Sequence, residues 1–303
     1  MNNMTDIKYQ KPFIKWVGGK TQIIDKIIEK FPNNIENYRE IFLGGGSVLF
    51  ALLTMQKNNK IKINKKVYAY DININLINVY KDIQKNKDTL YNYIEYNTKI
   101  YDGIKSSEVN RNPLTLEEAM TSKESYYYWL RKRFNTLQTG DIEKSALFIF
   151  LNKTCFRGIY REGPNGFNVP YGHYKKTPVI CDKDELYKIS DLIKDVEFKQ
   201  SDFITSFSEI ESGDFVYLDP PYAPINNNSF VGYTKDGFDI KTHYKLFDEI
   251  KKLNTKAKFI MSNVKVDLIT ENFKEYKQEE IIAKRSINSK NPGDSVIELI
   301  IMN

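Results

Sequence analysis

The chain has 303 residues, of which 41% are hydrophobic and 28% charged, and these proportions exclude a disordered or fibrous protein. Its net charge of +6 favours a polyanionic partner such as nucleic acid, although A/T-rich codons would also enrich lysine. The longest apolar run, residues 146–151, is far shorter than the roughly 20 residues that cross a membrane. The N-terminus lacks the apolar core of a secretory signal, so we expect a cytoplasmic protein without membrane attachment.

The cysteines and histidines predict neither a disulfide framework nor a metal site. Cys155 and Cys181 are the only cysteines, and they form no CxxC pair. They do not cluster in sequence with His173 or His243 as zinc ligands do. We therefore expect a protein that works without a bound metal.

Residues 38–75 predict a strand, a glycine turn, a helix and a second strand. The strands are 38–42 and 67–70, and the apolar helix is 47–55. This βαβ unit is typical of a parallel sheet with helices on its faces.

The turn of this βαβ unit is the first candidate ligand site. Gly44 and Gly46 would let a ligand approach the backbone at a helix N-terminus, and Asp71 at the end of the next strand could accept hydrogen bonds from a ribose. The alternative is a purely structural turn. A Walker-type phosphate loop is disfavoured, because no Gly-Lys-Ser/Thr sequence follows the turn.

The middle of the chain has a different character. Residues 79–188 read as polar helices with aromatic and basic residues interleaved, followed by a loop-rich stretch at 152–176. After residue 189 the α/β pattern returns, which predicts an α/β domain made of both ends of the chain with a module inserted between them.

The returning α/β pattern supplies the remaining strands. Two strands, a helix, a third strand and a closing antiparallel hairpin are predicted in this order. The predicted elements are strand 196–199, strand 215–218, helix 243–253, strand 258–261, and hairpin strands 280–285 and 295–301 around a turn at 289–293.

The tetrapeptide Asp219-Pro220-Pro221-Tyr222 follows the strand 215–218 directly. Two prolines force a rigid, extended turn that donates no backbone hydrogen bonds. A planar amine fits this turn, because the Asp219 carboxylate and the Pro220 carbonyl can accept its two N–H bonds while Tyr222 stacks on the ring. An ordinary strand-ending turn is the alternative.

Residues 15–20 near the N-terminus combine lysines, an aromatic ring and two glycines. Lys15, Trp16 and Lys20 suit a carboxylate and a polar partner beside an aromatic wall. A helix start with a buried tryptophan would look the same, so this segment decides nothing alone.

Taken in order, these segments resemble the DNA adenine-N6 methyltransferase (Dam) family, in the motif order of its alpha group. The resemblance runs from residue 12 to about 299 and is carried by residues 13–20, 42–46, 152–175 and 219–222. It implies a Rossmann-like seven-stranded methyltransferase sheet with an inserted helical and β-hairpin DNA-recognition domain. Residues 1–78 and 189–303 would form the catalytic domain, and 79–188 the target-recognition domain.

The resemblance also implies S-adenosyl-L-methionine as cofactor and no metal. Trp16 and Lys20 would border its methionine end, and Asp71 would take its ribose hydroxyls. Asp202 and Phe203 would hold and stack its adenine. The floor of the site would be formed by Phe42, Gly44 and Gly46, and Asp219 would lie beside the transferred methyl group.

The implied substrate is double-stranded DNA. The target adenine would leave the duplex, Asp219 and Pro220 would draw on its N6 hydrogens, and Tyr222 would stack on it. Phe156 would wedge into the base stack, and Arg161 would read a guanine edge.

The recognised sequence rests on further residues. Lys15 would read a second guanine, which favours GATC. Arg157 stands where the GATC enzymes of the family usually carry asparagine. This departure could change either how the partner base is held or which DNA sequence is recognised. Arg157 and Arg161 could also contact phosphates only.

Other interpretations stay open at this stage. Cytosine-N4 enzymes use a similar tetrapeptide, usually beginning with serine, and protein-glutamine enzymes begin it with asparagine. A catalytically inactive DNA-binding protein would be free to lose Asp219 and Tyr222, and an RNA or small-molecule methyltransferase would not need the basic, aromatic insert.

A cognate restriction endonuclease is a candidate partner, and the enzyme could be a monomer or a dimer. We expect residues 223–237 to form a loop that orders over DNA.

Overall fold

The structure, a computed structural model, describes residues 7–224, 238–284 and 295–303. The chain forms two compact units. The first comprises Met1–Pro12, Val17–Ile72 and Asp195–Asn303, and the second comprises Phe13–Trp16 and Asn73–Lys194. The second unit extends beyond 79–188 at both ends and includes a short N-terminal piece. The roles assigned to the two domains from the sequence stay predictions.

Eleven helices and eleven strands lie within the described residues. The helices are α1 (Ile24–Ile28), α2 (Ser47–Lys57), α3 (Ile74–Lys85), α4 (Lys87–Gly103), α5 (Leu116–Ala119), α6 (Lys123–Thr136), α7 (Ile142–Thr154), α8 (Lys183–Leu192), α9 (Phe203–Ser208), α10 (Ile240–Lys252) and α11 (Asp267–Asn272). The strands are β1 (Asn34–Ile35), β2 (Tyr38–Glu40), β3 (Lys62–Ile63), β4 (Val67–Asp71), β5 (Glu162–Gly163), β6 (Gly166–Phe167), β7 (Val196–Gln200), β8 (Phe215–Leu218), β9 (Lys258–Val264), β10 (Lys277–Lys284) and β11 (Ser295–Met302).

The first unit contains a seven-stranded sheet with the strand order β10-β11-β9-β8-β2-β4-β7. Strand β11 runs antiparallel to both of its neighbours, and the other strands run parallel to one another. The predicted Rossmann-like, seven-stranded fold is confirmed. The strand order reverses between β2 and β8, and ligands of such sheets bind where the chain leaves the strands at this point.

The predicted elements agree with the structure to within about three residues at their ends. Helix α10 begins earlier than predicted because the Asp239 carboxylate accepts a hydrogen bond from the Thr242 amide at 2.8 Å and caps the helix. Strand β9 is longer than predicted because it keeps pairing with β11 as far as Val264. The predicted turn at 289–293, and all but the first two residues of the predicted loop at 223–237, lie outside the described residues.

The two faces of the sheet differ in chemistry. One face packs apolar side chains against α9, α10 and α11, with Val216, Leu218, Met261, Leu299 and Ile301 among its buried residues. Because side chains alternate along a strand, the residues between these point to the opposite face. That opposite face carries buried polar groups, which are Tyr38, Glu40, Tyr217, Ser262 and Glu298.

The second unit is mainly helical. Helix α7 is its most buried element and packs against α3, α4 and α6. Strands β5 and β6 form a two-residue antiparallel hairpin in the loop-rich stretch. The predicted helical and β-hairpin insertion is thus confirmed as a structural feature.

The described ranges contain neither a helix that could span a membrane nor a grouped set of metal-binding side chains. None of their helices is both long and apolar enough to span a membrane. No three or more His, Cys, Asp or Glu side chains among the same residues are grouped so as to hold a metal ion. Both cysteines are free thiols.

Two residues on the same face of β11 test how far the apolar core extends along the strand. Leu299 is 1% exposed within the apolar core, whereas Ile297 is 39% exposed. We expect Leu299→Ala to lower the free energy of unfolding by about 2–5 kcal/mol, because it opens a cavity. Ile297→Ala should cost less than about 1 kcal/mol. Urea denaturation of both variants measures the difference, and equal losses would contradict the placement of Leu299 inside the core and of Ile297 outside it.

Candidate active site and recognition loop

Asp219 stands at the carboxyl end of β8, beside the reversal of strand order. All four residues of β8 are buried, so the strand is fixed on both faces. The prolines that follow cannot extend the ladder, and the chain turns away with Asp219 at the edge. The Asp219 side chain is 19% exposed, which leaves it accessible from one side.

Lys20 forms a buried ion pair with this carboxylate. Its Nζ lies 2.7 Å from Asp219 Oδ1, and its side chain is only 2% exposed. The same ammonium group donates to the Gly18 carbonyl at 2.8 Å. The Lys20 amide donates to Ser47 Oγ at 3.1 Å, which ties the segment to the start of α2. The role of Lys20 beside the methionine end of a cofactor stays a prediction.

Hydroxyl groups from neighbouring strands complete the surroundings of Asp219. Ser262 Oγ donates to Asp219 Oδ1 at 3.2 Å, and the Tyr217 hydroxyl lies 2.8 Å from Ser262 Oγ. Sequence reasoning missed both. Tyr217 is two residues before Asp219 on the same strand, so the two-residue period of a strand was the signal that could have found it.

The site holds carboxyl groups with opposite protonation at neutral pH. Burial raises the pKa of Asp219 to about 6, while the charge of Lys20 and the Ser262 hydrogen bond act to lower that pKa. Burial raises the pKa of Glu40 to about 8, against the lowering effect of the Tyr38 hydroxyl, which donates to it at 2.7 Å. At pH 7 Asp219 is therefore mainly ionised and Glu40 mainly protonated.

The turn after Asp219 is held from two sides. The Tyr222 hydroxyl donates to Glu298 Oε1, and Lys20 Nζ lies 5.1 Å from the centroid of the Tyr222 ring. Asn263 Oδ1 accepts from the Ala223 amide at 3.1 Å. Glu298 and Asn263 come from strands far along the chain, and sequence reasoning missed both.

The glycine turn lies on the same edge of the sheet, between β2 and α2. Gly44 and Gly46 have φ values of 50° and 71°, which glycine adopts without a steric penalty. The Gly44 amide donates to Asp71 Oδ2 at 2.9 Å, so the acid at the end of β4 is fastened to the turn. The structure thus brings together Gly44, Gly46 and Asp71 as predicted site residues.

Aromatic side chains gather near this turn. The Phe203 ring lies 6.2 Å from Phe42 and 5.9 Å from Phe238, measured between centroids. Asp202 precedes Phe203 and caps α9 by accepting from the Thr205 amide at 2.9 Å. Phe238, which sequence reasoning missed, extends the aromatic pair to three rings.

In the second unit, the Asn152 side chain forms two hydrogen bonds to the backbone of the N-terminal piece Phe13–Trp16. Its Oδ1 accepts from the Lys15 amide and its Nδ2 donates to the Lys15 carbonyl, both at 2.8 Å. Lys15 is exposed and its Nζ donates to the Tyr174 hydroxyl at 3.2 Å. Trp16 stacks on Phe148 and Tyr160 in the interior of this unit, and its predicted cofactor contact stays a prediction.

The loop after α7 presents the predicted recognition residues. Phe156 is 42% exposed, and the Arg157 guanidinium lies 5.1 Å from its ring centroid. Arg157 has a φ of 58°, a left-handed conformation that asparagine adopts more readily than arginine. Gly158 follows at φ 66°, packed so closely on Lys15 that a Cβ would lie 2.4 Å from its Cδ.

Arg161 precedes the hairpin of β5 and β6. Its Nε donates to Asn168 Oδ1 at 2.7 Å, and its carbonyl accepts from the Asn168 amide at 3.1 Å. The hairpin therefore fixes both the backbone and the side chain of an exposed arginine.

The sheet order, the carboxylate at the strand reversal and the glycine turn define an α/β methyltransferase fold with its site at the carboxyl edge. Comparison of the sequence with known families agrees. The profile described as D12 class N6 adenine-specific DNA methyltransferase matches residues 16–287. The chain belongs to this family, so its activity is that of an adenine-N6 DNA methyltransferase rather than of a cytosine-N4 enzyme.

Several curated proteins are similar to this chain over nearly their whole length. Type II methyltransferase M.MjaIII of Methanocaldococcus jannaschii is 38% identical over 97% of this chain and 99% of its own. Type II methyltransferase M1.LlaDCHI of Lactococcus lactis subsp. cremoris is 32% identical, covering 97% and 95%. The DNA adenine methylase of Haemophilus influenzae is 30% identical, covering 94% and 90%.

The ionisation of Asp219 gives a pH prediction. If the carboxylate accepts an amine hydrogen, methyl transfer should fall as the pH drops through about 6, because protonation removes the acceptor. The rate of transfer to DNA under single-turnover conditions, measured from pH 5 to 8, tests this. Binding of DNA in the same range is the control, and a rate that is flat down to pH 5 would contradict the role of Asp219.

Proposed function

We propose that this enzyme transfers a methyl group from S-adenosyl-L-methionine to N6 of an adenine in a short, specific site of duplex DNA. The observation that carries the proposal is the buried Lys20–Asp219 ion pair at the reversal of strand order, followed directly by Pro220, Pro221 and Tyr222. This arrangement offers a carboxylate, a carbonyl and an aromatic ring to one planar amine.

The residues at the carboxyl edge fit S-adenosyl-L-methionine. The positive φ angles of Gly44 and Gly46 open the backbone between β2 and α2, and Asp71 is fixed beside them. Phe42 and Phe203, with Phe238, offer apolar surface for an adenine ring, and Asp202 lies next to Phe203. The cofactor supplies an electrophilic methyl group on a sulfonium ion, which needs no metal.

The residues around Asp219 would orient the amine nitrogen. The Asp219 carboxylate and the Pro220 carbonyl would accept hydrogen bonds from the two N6 hydrogens and draw the nitrogen lone pair away from the ring. Formation of the bond from N6 to the methyl carbon would break the carbon–sulfur bond, leaving a neutral thioether, and one N6 proton would pass to solvent. Lys20 and Ser262 hold Asp219 Oδ1 in position. Positioning and electrostatics would thus supply the rate acceleration, with no covalent enzyme intermediate.

Base flipping is the route we propose for the adenine, since N6 cannot reach such a pocket inside a duplex. Tyr222 would stack on the flipped base. Phe156 is exposed on a loop held by its neighbours, which suits a wedge into the base stack. Lys15, Arg157 and Arg161 are exposed cations in the same unit, and we propose that they read or grip the DNA, with GATC as the expected site.

Partners and location follow from the proposed reaction. Duplex DNA is the substrate of the family, and a cognate restriction endonuclease is a candidate partner because two of the relatives are named Type II methyltransferases. We propose a cytoplasmic enzyme that acts as a monomer or a dimer.

Modification mapping tests the proposed function. Long-read sequencing of DNA from cells expressing the protein should show N6-methyladenine in one short motif, with GATC expected. Asp219→Ala should abolish the mark, because the amine loses its acceptor. An Asp248→Ala variant, which alters a carboxylate outside the site, is the control. DNA without modification despite cofactor binding would favour an inactive DNA-binding protein.

Arg161 gives a prediction about base discrimination, and Arg157 gives one about stability. Arg161→Ala should relax discrimination at one base pair by about 1–3 kcal/mol while nonspecific binding changes little. Arg157→Asn should leave the free energy of unfolding unchanged or higher, because asparagine suits the left-handed backbone. Relative methylation rates of the wild-type protein and Arg161→Ala on duplexes with single base substitutions measure the change in discrimination. A uniform loss over all sequences would assign Arg161 to the phosphate backbone.

A further inference from the structure

A buried glutamate on the antiparallel strand of the sheet has no role in the reaction described so far. Glu298 lies on β11, opposite Val264 of β9. By the alternation of side chains it faces the same side of the sheet as Ser262. Its side chain is 5% exposed, so it is out of reach of solvent and belongs to the interior of the first unit.

The two oxygens of Glu298 face two residues of the proposed site. Oε1 accepts the hydrogen bond of the Tyr222 hydroxyl. Oε2 lies 3.9 Å from Lys20 Nζ, and within the part of the chain that the structure describes it has no hydrogen-bond partner. One carboxylate thus reaches both the stacking ring and the ammonium group that pairs with Asp219.

A buried carboxylate such as Glu298 lowers the stability of the fold unless its contacts compensate for its lost hydration. A buried carboxylate with an unsatisfied oxygen loses hydration that the protein does not replace. The residues that follow it on the strand, Leu299, Ile300 and Ile301, are fully apolar and buried without that cost. An apolar residue at 298 would be easier to bury, so the contacts to Tyr222 and Lys20 are the feature that needs a carboxylate.

We propose that Glu298 is a positioning residue of the methyl-transfer site, holding the Tyr222 ring through its hydroxyl and sharing the Lys20 ammonium with Asp219. This inference rests on the proposed function. Tyr222 lies on an irregular segment, and a hydrogen bond at the far end of its side chain fixes the plane of the ring that stacks on the target base. The charge of Glu298 also acts on Asp219 and on the Lys20 ammonium that they share, and it makes the Asp219 carboxylate a more basic acceptor for the amine hydrogen.

The electrostatic effect of Glu298 on Lys20 and Asp219 predicts a shift in the pH profile of the methyl-transfer rate when Glu298 is replaced. Asp219 is faced by Lys20 and Ser262, which lower its pKa, and by Glu298, which raises it. Glu40 and Tyr217 are the other titratable groups of this face that interact electrostatically with Asp219. Glu298→Gln removes one negative charge and should move the acid limb of the rate profile to lower pH. A purely structural glutamate would leave the limb in place.

A double-mutant cycle tests the contact with Tyr222. Glu298→Gln and Tyr222→Phe are each expected to lower kcat about tenfold, with the KM for S-adenosyl-L-methionine changed less than about twofold. The double variant should be no worse than about the poorer single variant, since Tyr222→Phe removes the same hydrogen bond that Glu298→Gln weakens by replacing a charged acceptor with a neutral amide oxygen. Ile301→Val, a buried change on the apolar face of the same strand, is the control for stability. Multiplicative losses in the cycle, together with an unmoved acid limb, would overturn the proposal.

A ¹⁹F NMR measurement needs no methyl transfer, so it tests the role of Glu298 independently of the proposed function. With 3-fluorotyrosine at position 222, the ¹⁹F resonance should move in Glu298→Gln and stay in place in Ile301→Val. An unchanged resonance in both variants would overturn the positioning role even if the wild-type enzyme methylates DNA. A wild-type enzyme that methylates no DNA would overturn the proposed function, and the resonance would still decide whether Glu298 holds Tyr222.

Discussion

The buried ion pair between Lys20 and Asp219 is the interaction on which the proposed site depends. Removing a lysine and an aspartate from water is unfavourable unless each charge is compensated by close, well-placed partners. Here the ammonium group bonds to the carboxylate and to the Gly18 carbonyl, and the carboxylate also accepts from Ser262. The pair therefore fixes an N-terminal segment to the end of a central strand, and it places a carboxylate with a raised pKa where a ligand can reach it.

The pair is accommodated because one face of the sheet, called here the polar face, carries buried polar groups beside its apolar residues. Alternation along β8, β9 and β11 sends Val216, Met261 and Leu299 towards the helices α9, α10 and α11, and sends Tyr217, Ser262 and Glu298 to the polar face. Near the strand reversal the polar face supplies hydrogen-bond partners for Asp219. The apolar face supplies the burial that holds the strands rigid. Stability and chemistry are thus divided between two faces of the same strands.

The second unit meets a different constraint, which is to present exposed residues in fixed positions. A single side chain, Asn152, bonds to both backbone groups of Lys15, and the left-handed residues Arg157 and Gly158 turn the loop sharply beside it. Asn168 holds Arg161 in a similar way. Bonds from buried or hairpin residues therefore give exposed cations a defined geometry, which the proposed reading of base edges requires.

The sequence by itself determined the fold class and the residues with the strongest local signatures. Glycines 44 and 46, the acid after β4 and the tetrapeptide that begins with Asp219 could be predicted, because strand period, glycine and proline act within a few residues. Ends of elements were off by a few residues where a cap such as Asp239 or pairing with a distant strand decided them. Only the tertiary structure decided that Lys20 pairs with Asp219, that Glu298 reaches Tyr222 and that Asn152 clamps Lys15. Each of these contacts joins residues more than 70 positions apart, and such partners are chosen by the packing of the sheet and helices rather than by local sequence.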